Sequence, residues 1–206
     1  MRAKNAIKFI PLTKKHFKNL TEWYNSPHIH QWWGEERKWN YKDIELKYRS
    51  YVEGYKLENS LKKPIKPFII NYEGCPVGYI QSYSLYDFPI RILGEKVNSS
   101  FFCGGSLDFF LGSGNLLGRG MGRLVLNQFL NELFWKEYKI CVVSIKNQNI
   151  ASKKCFEKIE FQKLKPLGNF DEEFYYKLYH NLPHYEQEEI SSTLLGLNND
   201  TDHEGN

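Results

Sequence analysis

A glycine-rich turn that opens a long amphipathic helix constrains the fold of this chain more than any other feature. The turn reads Gly118-Arg-Gly-Met-Gly122-Arg123 and follows a segment with the composition of a strand. A helix is predicted over 118–138, because apolar residues recur there at helical spacing. These residues are Met121, Leu124, Val125, Phe129, Leu130, Leu133 and Phe134. With a strand predicted before the turn and another over 138–144, this order forms a parallel crossover.

The other segments predict an α+β order around that crossover. Strands are expected over 7–11, 67–72, 77–86, 101–110, 138–144 and 174–180. Further helices are expected over 14–24, 41–55, 150–158 and 185–195, with Thr13 as the first N-cap. The sequence also predicts a hairpin at Glu73-Gly74, loops over 28–34 and at Pro64 and Pro67, and a kink at Gly104-Gly105.

Length and composition are typical of one folded domain with an appendage. The chain has 206 residues, of which 41% are hydrophobic and 16% aromatic, enough for a sizeable core. We expect a single domain over 1–182 and a C-terminal extension over 183–206, because the chain becomes acidic and polar after His180. The extension is predicted to hold a short helix and then a disordered end from Asn198.

Charge and cysteine usage argue against several classes of function. The net charge of +4, from 28 basic and 24 acidic residues, includes no arginine-rich run, so a nucleic-acid partner is not expected. The sequence shows neither a signal peptide nor an apolar run of about 18 residues, so no membrane role is expected. The four cysteines are widely spaced and form no metal-ligand pair, which predicts reduced thiols, a cytoplasmic location and no metal site.

The glycine-rich turn has the chemistry of a phosphate site. A helix start presents backbone N–H groups without intrahelical partners, and the helix dipole adds partial positive charge. Glycines allow a phosphate to approach those groups closely, and Arg119 and Arg123 add charge. The pattern fits neither a P-loop nor a dinucleotide fingerprint, so a pyrophosphate site of another kind is predicted. A flexible turn without a ligand is the alternative.

At these residues the chain resembles the GNAT acyltransferase superfamily. The pyrophosphate loop of that superfamily matches Leu117-Gly-Arg-Gly120-Met-Gly122, with leucine in place of the usual glutamine or arginine. A second element matches Asn149 and Phe161, although Phe156 replaces a tyrosine and Glu160 a glycine. The resemblance implies an α+β fold with a central mixed, mostly antiparallel sheet, flanking helices and a parallel crossover at an acetyl-CoA site.

The same resemblance implies a set of residues that bind acetyl-CoA. The backbone N–H groups near Phe109, Phe110 and Leu111 would receive the thioester oxygen. The remaining members are Gly118, Arg119, Gly120, Met121, Gly122, Arg123 and Asn149.

Within the superfamily, the chain is most similar to the bacterial aminoglycoside 6′-N-acetyltransferases. The segments that carry this similarity are 28–36, 77–83, Leu107-Asp108 and Asp171. They imply transfer of an acetyl group to an amine of an aminoglycoside, by a monomer or a homodimer. The residues implied for binding the acceptor are Trp32, Trp33, Glu35, Gln81, Tyr83, Asp87, Asp108 and Asp171.

Amine acetylation requires a group that takes up a proton. An alkylammonium has a pKa of about 10.4, so deprotonation at pH 7 costs about 4.6 kcal/mol. The resemblance assigns this role to Asp108, and the alternative is a carboxylate that caps a turn or pairs with a lysine. Phe156 leaves the general acid unassigned, with Tyr176 or water as candidates.

Several departures keep other acceptors open. Arg91 and Lys96 stand in a region that is acidic in the resistance enzymes, and Ser144 replaces an aspartate. A smaller amine, such as a polyamine, a siderophore hydroxylamine or a protein N-terminus, is the enzymatic alternative. A non-catalytic acyl-CoA sensor is the alternative from another class, favoured by Phe156 and Ser144.

Overall fold

The computed structural model describes residues 6–33, 37–90, 103–164 and 171–196. Six α-helices are described: α1 (Phe17–Tyr24), α2 (Pro27–Trp33), α3 (Tyr41–Val52), α4 (Met121–Glu132), α5 (Ile150–Glu157) and α6 (His184–Gly196). Nine strands are described: β1 (Ile7–Pro11), β2 (Tyr55–Glu58), β3 (Leu61–Pro64), β4 (Lys66–Tyr72), β5 (Cys75–Ser84), β6 (Gly104–Leu111), β7 (Ile140–Lys146), β8 (Gln162–Leu164) and β9 (Glu172–Leu178). Among these helices, none combines the length and the apolar character that crossing a membrane requires.

The described strands form a mixed seven-stranded sheet and a separate hairpin. The order in the sheet is β1-β4-β5-β6-β7-β9-β8, and β2 pairs with β3. Strands β6 and β7 are parallel, with Gly104 opposite Ile140, whereas the pairs β1–β4, β4–β5, β7–β9 and β8–β9 are antiparallel. The predicted α+β class, the mixed sheet and the parallel crossover are therefore confirmed.

The chain divides into two compact units, and β6 contributes residues to both. The first unit comprises 1–83 and 107–131, and the second comprises 84–106 and 132–206.

The first unit is built around a core rich in aromatic side chains. Helices α1 and α3 bury Phe17, Leu20, Tyr24, Ile44 and Tyr48 in one cluster that also contains strand residues of β4, β5 and β6. Asn40 begins α3, because its side-chain oxygen accepts hydrogen bonds from the N–H groups of Lys42 and Asp43.

Helix α4 in the same unit packs through Phe129, whose ring makes edge contacts with Phe9 of β1 and Phe68 of β4.

The second unit has its own, smaller core. Its cluster comprises Leu85, Ile140, Val142, Leu164 and Phe174, with Ile190 of α6 packed against it. The apolar run of β7 supplies the centre of this cluster, because that strand lies between β6 and β9.

Two predicted loops are ordered elements instead. Residues 27–33 form α2, because Pro27 stands at a helix start, where its missing N–H costs nothing, and Ser26 C=O accepts from the N–H groups of Ile29 and His30. The loop predicted at Pro64 and Pro67 contains β3, which pairs with β2 through a turn at Asn59-Ser60. The helix predicted over 41–55 accordingly ends at Val52.

Other boundaries also differ from the prediction. The helix after the glycine turn runs from Met121 to Glu132 and is followed by a short 3-10 turn over Phe134–Lys136. Strand β8 was not predicted. Packing requires a glycine at position 105, because a Cβ there would lie 2.5 Å from the Tyr138 ring. Phe101, Phe102 and the predicted disordered end lie outside the described residues.

Candidate active site

One face of the sheet in the first unit carries the predicted catalytic carboxylate. Side chains alternate along a strand, so Tyr79, Gln81 and Tyr83 of β5 share a face. Asp108 and Phe110 of β6 lie on that same face, since Gln81 bonds to Asp108 and the Tyr79 ring stacks on Phe110 with centroids 5.7 Å apart. The candidate base therefore lies beside the aromatic core.

Asp108 is held by a glutamine that is itself held by a tyrosine. The Nε2 atom of Gln81 donates to Asp108 Oδ2 over 2.7 Å. The Tyr79 hydroxyl donates to Gln81 Oε1 over 2.5 Å. Tyr79 and Gln81 are buried, whereas Asp108 is half-buried. The structure thus brings Gln81 and Asp108 together, as residues of one predicted site.

Neutral phenols surround this pair. The hydroxyls of Tyr24 and Tyr48 share a hydrogen bond of 2.7 Å, and burial raises the pKa of Tyr48 well above its usual range. Burial, followed by the negative charges of Asp108 and Glu58, raises the pKa of Tyr51 to about 12. Each of these groups therefore keeps its proton at neutral pH, so a carboxylate is the suitable base on this face.

The end of β6 is fixed by contacts that sequence reasoning missed. His28 of α2 donates from Nε2 to the Leu111 carbonyl over 3.0 Å, and the Gly112 N–H donates to the Val77 carbonyl over 2.7 Å. A Cβ at Gly112 would lie 2.3 Å from the Trp23 ring, so this close approach requires glycine. The predicted loop over 28–34 concealed the role of His28, which depends on α2.

The glycine turn has the geometry that close anion approach requires. Gly118 and Gly120 adopt φ values of +72° and +78°, and a Cβ at Gly118 would meet nothing within 4 Å. The Gly120 carbonyl accepts from the N–H groups of Arg123 and Leu124, so the N–H groups of Met121 and Gly122 precede the first intrahelical bonds. Arg119 and Arg123 are exposed beside them. The turn therefore fits a pyrophosphate.

Trp33, one of the two predicted tryptophans, is part of the aromatic surroundings. Trp33 is half-buried and contacts the Phe110 ring edge-on, with centroids 5.1 Å apart. Trp32 is half-buried, and Tyr83 packs against the aromatic core. Glu35, Arg91 and Lys96 lie outside the described residues.

An aromatic cage in this unit already holds an internal cation. The Lys47 ammonium lies 4.8 Å from the Trp39 ring centroid and 5.0 Å from that of Tyr24.

The other predicted residues belong to the second unit. Asn149 is the N-cap of α5, and its side-chain oxygen accepts from the Ser152 N–H over 3.1 Å. Asp171 is exposed, and its backbone carbonyl accepts from the Asn147 N–H over 2.9 Å. Asp87 is half-buried. Burial, followed by the negative charges of Glu137 and Asp87, raises the pKa of Tyr138 to about 12.

Comparison with known proteins decides the family. A model described as the acetyltransferase (GNAT) domain matches residues 13–168. The chain belongs to the GNAT acetyltransferase family. It is therefore an acetyl-CoA-dependent N-acetyltransferase, which confirms the predicted family, enzyme class and co-substrate.

Two curated relatives carry the name aminoglycoside N(6′)-acetyltransferase type 1. The protein from Klebsiella pneumoniae is 24% identical over 155 residues, which cover 74% of this chain and 72% of that protein. The protein from Serratia marcescens matches to the same extent. The resemblance to aminoglycoside 6′-N-acetyltransferases is thereby confirmed.

Solved structures of similar proteins agree on the fold. The aminoglycoside acetyltransferase AAC(6′)-Ib in complex with coenzyme A superposes with a TM-score of 0.69 at 21% identity, over 91% of this chain and 100% of that chain. Its complex with coenzyme A and kanamycin gives a TM-score of 0.68 at 20% identity, with the same coverage.

One GNAT position departs from the pattern in its chemistry. Phe156, at the position where the resemblance implies a tyrosine, is buried and makes an edge contact with Phe161 at 5.0 Å. It has no proton to give a leaving thiolate. The Tyr176 hydroxyl donates to Gln162 over 2.7 Å, and burial raises its pKa. A thiol pKa of about 8.5 lets the thiolate leave without an obligatory acid.

Metal-binding side chains do not cluster in the part of the chain that the structure describes. No group of three or more His, Cys, Asp or Glu residues there is placed to hold an ion.

Proposed function

We propose that this GNAT enzyme transfers the acetyl group of acetyl-CoA to a primary amine of an aminoglycoside, by direct attack in a ternary complex. The observation that carries the proposal is Asp108: a half-buried carboxylate, oriented by Gln81, on the aromatic face of the unit that also contains the glycine turn. The names of the curated relatives support the class of acceptor.

The proposed reaction uses Asp108, the end of β6 and His28 from the first unit. Asp108 orients the acceptor ammonium and takes its proton, directly or through water, so that the amine nitrogen can attack the thioester carbon. Backbone N–H groups near Phe109, Phe110 and Leu111 stabilise the oxyanion, and His28 fixes the end of that segment through the Leu111 carbonyl. The attacking nitrogen gives up its second proton to water, the carbon–sulfur bond breaks, and the coenzyme leaves as a thiolate.

The glycine turn supplies most of the proposed cofactor contacts. Gly118, Gly120 and Gly122 bring backbone N–H groups to the pyrophosphate, with Met121 in the same turn. Arg119 and Arg123 add positive charge. From the second unit, Asn149 is proposed to contribute to cofactor binding, and Asp87 and Asp171 to acceptor binding.

The role of Asp108 is tested by Asp108→Asn, which keeps the shape of the side chain and removes its basicity. Release of thiol from acetyl-CoA is followed with kanamycin and tobramycin as acceptors. We expect kcat to fall about 10²- to 10⁴-fold, the usual contribution of general-base catalysis. Coenzyme A binding, measured by calorimetry, should be unchanged, because Asp108 lies outside the glycine turn.

A comparison variant separates the base from acceptor binding. Asp171→Asn should raise KM for the aminoglycoside and leave kcat within a few-fold, since Asp171 is proposed for binding alone. Equal losses of kcat in both variants would contradict the assignment of Asp108.

Spermidine, lysine and a hydroxylamine serve as competing acceptors, because Ser144, Arg91 and Lys96 depart from the aminoglycoside pattern. Turnover with one of these and with no aminoglycoside would overturn the proposed substrate class while keeping the enzyme class.

A further inference from the structure

We propose that Tyr79 and Gln81 act as a positioning pair, which holds the Asp108 carboxylate ionised and correctly rotated for the acceptor amine. The sequence resemblance implied that Gln81 contacts the acceptor. The structure engages both ends of its amide inside the protein, with Tyr79 at Oε1 and Asp108 at Nε2. The inference rests on the base role proposed for Asp108.

The direction of the two hydrogen bonds is fixed by chemistry. An ionised carboxylate only accepts, so Gln81 must present its NH₂ group to Asp108. The amide oxygen then faces Tyr79, which must be the donor. A single proton pattern therefore satisfies all three groups: the hydroxyl donates to the amide oxygen, and the amide donates to the carboxylate.

Burial makes this pattern hard to replace. Tyr79 is 0% exposed and Gln81 is 8% exposed, so water is poorly placed to substitute for either bond. Burial also raises the pKa of Tyr79 well above its usual range, which keeps the phenol neutral and able to donate. Tyr79 is anchored in turn, because its ring stacks on Phe110 and contacts Tyr48 edge-on.

The bond to Asp108 has two consequences for catalysis. A hydrogen bond donated to a carboxylate favours its ionised form, the form that accepts a proton. Contact at Oδ2 also restricts rotation of the carboxylate, and a base must be aligned with the proton that it abstracts. Tyr79 and Gln81 act through Asp108 and are thus positioning residues.

Gln81→Glu tests the pair by pH. At high pH the introduced carboxylate lies against Asp108, and like charges at this distance prevent full ionisation of both. At lower pH the introduced carboxyl group is protonated and again offers a donor to Asp108. We expect kcat/KM relative to the parent enzyme to rise at least about fivefold between about pH 8.5 and about pH 6.

Other titratable groups near this pair are common to the variant and the parent enzyme. They are Tyr24, Tyr48, Tyr51, Tyr79 and Tyr83, together with His28 at the Leu111 carbonyl and Glu58, whose carboxylate pairs with Lys63. Their contributions cancel in the ratio of the two kcat/KM values, so a change of that ratio with pH reports the introduced carboxyl group.

Gln128→Glu is the matched control. Gln128 of α4 also donates through Nε2, to the Ile7 carbonyl over 3.0 Å, but has no part in the Asp108 chain. This variant should lose stability without any rise in relative activity at lower pH. The inference would be overturned if kcat/KM of Gln81→Glu relative to the parent enzyme did not change with pH. It would also be overturned if the same relative kcat/KM rose equally at lower pH in Gln128→Glu.

A second measurement needs no acceptor. The carboxyl carbon of Asp108 is titrated by ¹³C NMR, with Asp108→Asn used to assign the signal. Gln81→Leu should move the titration midpoint upward by about one pH unit or more, and Tyr79→Phe should move it by less in the same direction. An unmoved midpoint in Gln81→Leu overturns the inference.

Kinetics distinguish this failure from failure of the proposed function. If Asp108→Asn abolishes turnover while the Gln81 and Tyr79 variants retain it fully, only the positioning pair is wrong. If Asp108→Asn turns over normally, the base assignment itself is wrong, and the positioning role falls with it.

Discussion

At the residue scale, Glu173 of β9 shows how strongly local contacts can bias a carboxylate. The Tyr175 hydroxyl donates to it over 2.8 Å, and the ammonium groups of Lys153 and Lys163 each lie 3.0 Å away. The hydrogen bond from Tyr175, with those from the two lysines, lowers the pKa of Glu173 to about 2, against a usual value of 4.5. Ionised Glu173 therefore stabilises the folded chain.

The sign of this effect predicts a pH dependence for Glu173→Gln. A lowered pKa contributes stability that is complete above about pH 4.5 and is lost as pH falls toward about 2. The variant should lower the free energy of unfolding at pH 7, and the difference from the parent should shrink steadily between these values. Urea unfolding at pH 7, 5, 4 and 3 measures it. A difference that is constant with pH would contradict the assignment.

Residue chemistry was predictable from sequence where a motif carries it. The roles of the glycine turn and of Asp108 were predicted in this way, because their spacing matches a family pattern, and both stay predictions. The bond from Gln81 to Asp108 and the bond from His28 to Leu111 were not found. The first bond joins residues 27 apart in the sequence and depends on strand register. The second joins residues 83 apart and depends on helix α2. A single sequence specifies neither.

At the element scale, the two hairpin turns differ in whether glycine stands at their second position. Glu73-Gly74 and Asn59-Ser60 all adopt positive φ, at 50° and 85° in the first turn and 50° and 65° in the second. A two-residue hairpin with positive φ at both positions favours glycine at the second. The turn at Gly74 has it, and the turn at Ser60 does not.

Ser60→Gly should therefore stabilise the protein. The change removes the strain of a side chain at φ 65° and should raise the free energy of unfolding by about 0.5–1 kcal/mol. Gly74→Ser is the reciprocal control and should lower it by a similar amount. Chemical unfolding monitored by tryptophan fluorescence measures both. If Ser60→Gly destabilises the chain, the described turn geometry is wrong.

Element prediction succeeded where periodicity was strong. Strand β1 has the bounds that were predicted, and helix α4 and strands β4, β5 and β7 lie where the pattern placed them, although their ends differ. Helix α2 was missed because seven residues give too few helical repeats to recognise. The hairpin of β2 and β3 was missed because Asn59-Ser60 lacks the glycine that usually marks such a turn.

At the scale of the whole molecule, the C-terminal helix raises the question of where the folded domain ends. Helix α6 belongs to the second unit, where Ile190 packs against its core cluster. The Lys139 ammonium donates to Glu186 over 2.5 Å, and Gln187 Nε2 donates to the Leu182 carbonyl over 2.7 Å. The boundary predicted at residue 182 places these contacts in an extension.

Two truncations test this boundary. We expect the chain 1–182 to fold cooperatively, because α6 adds one half-buried isoleucine and an ion pair to a core formed by β7, β8 and β9. Losing the partial burial of Ile190 costs about 1 kcal/mol, so the thermal midpoint should fall by about 2–4 °C. The chain 1–196 retains these contacts and should unfold like the full chain. Non-cooperative unfolding of 1–182 alone would show that the domain extends through α6, whereas equal midpoints for 1–182 and 1–196 would show that α6 contributes nothing to stability.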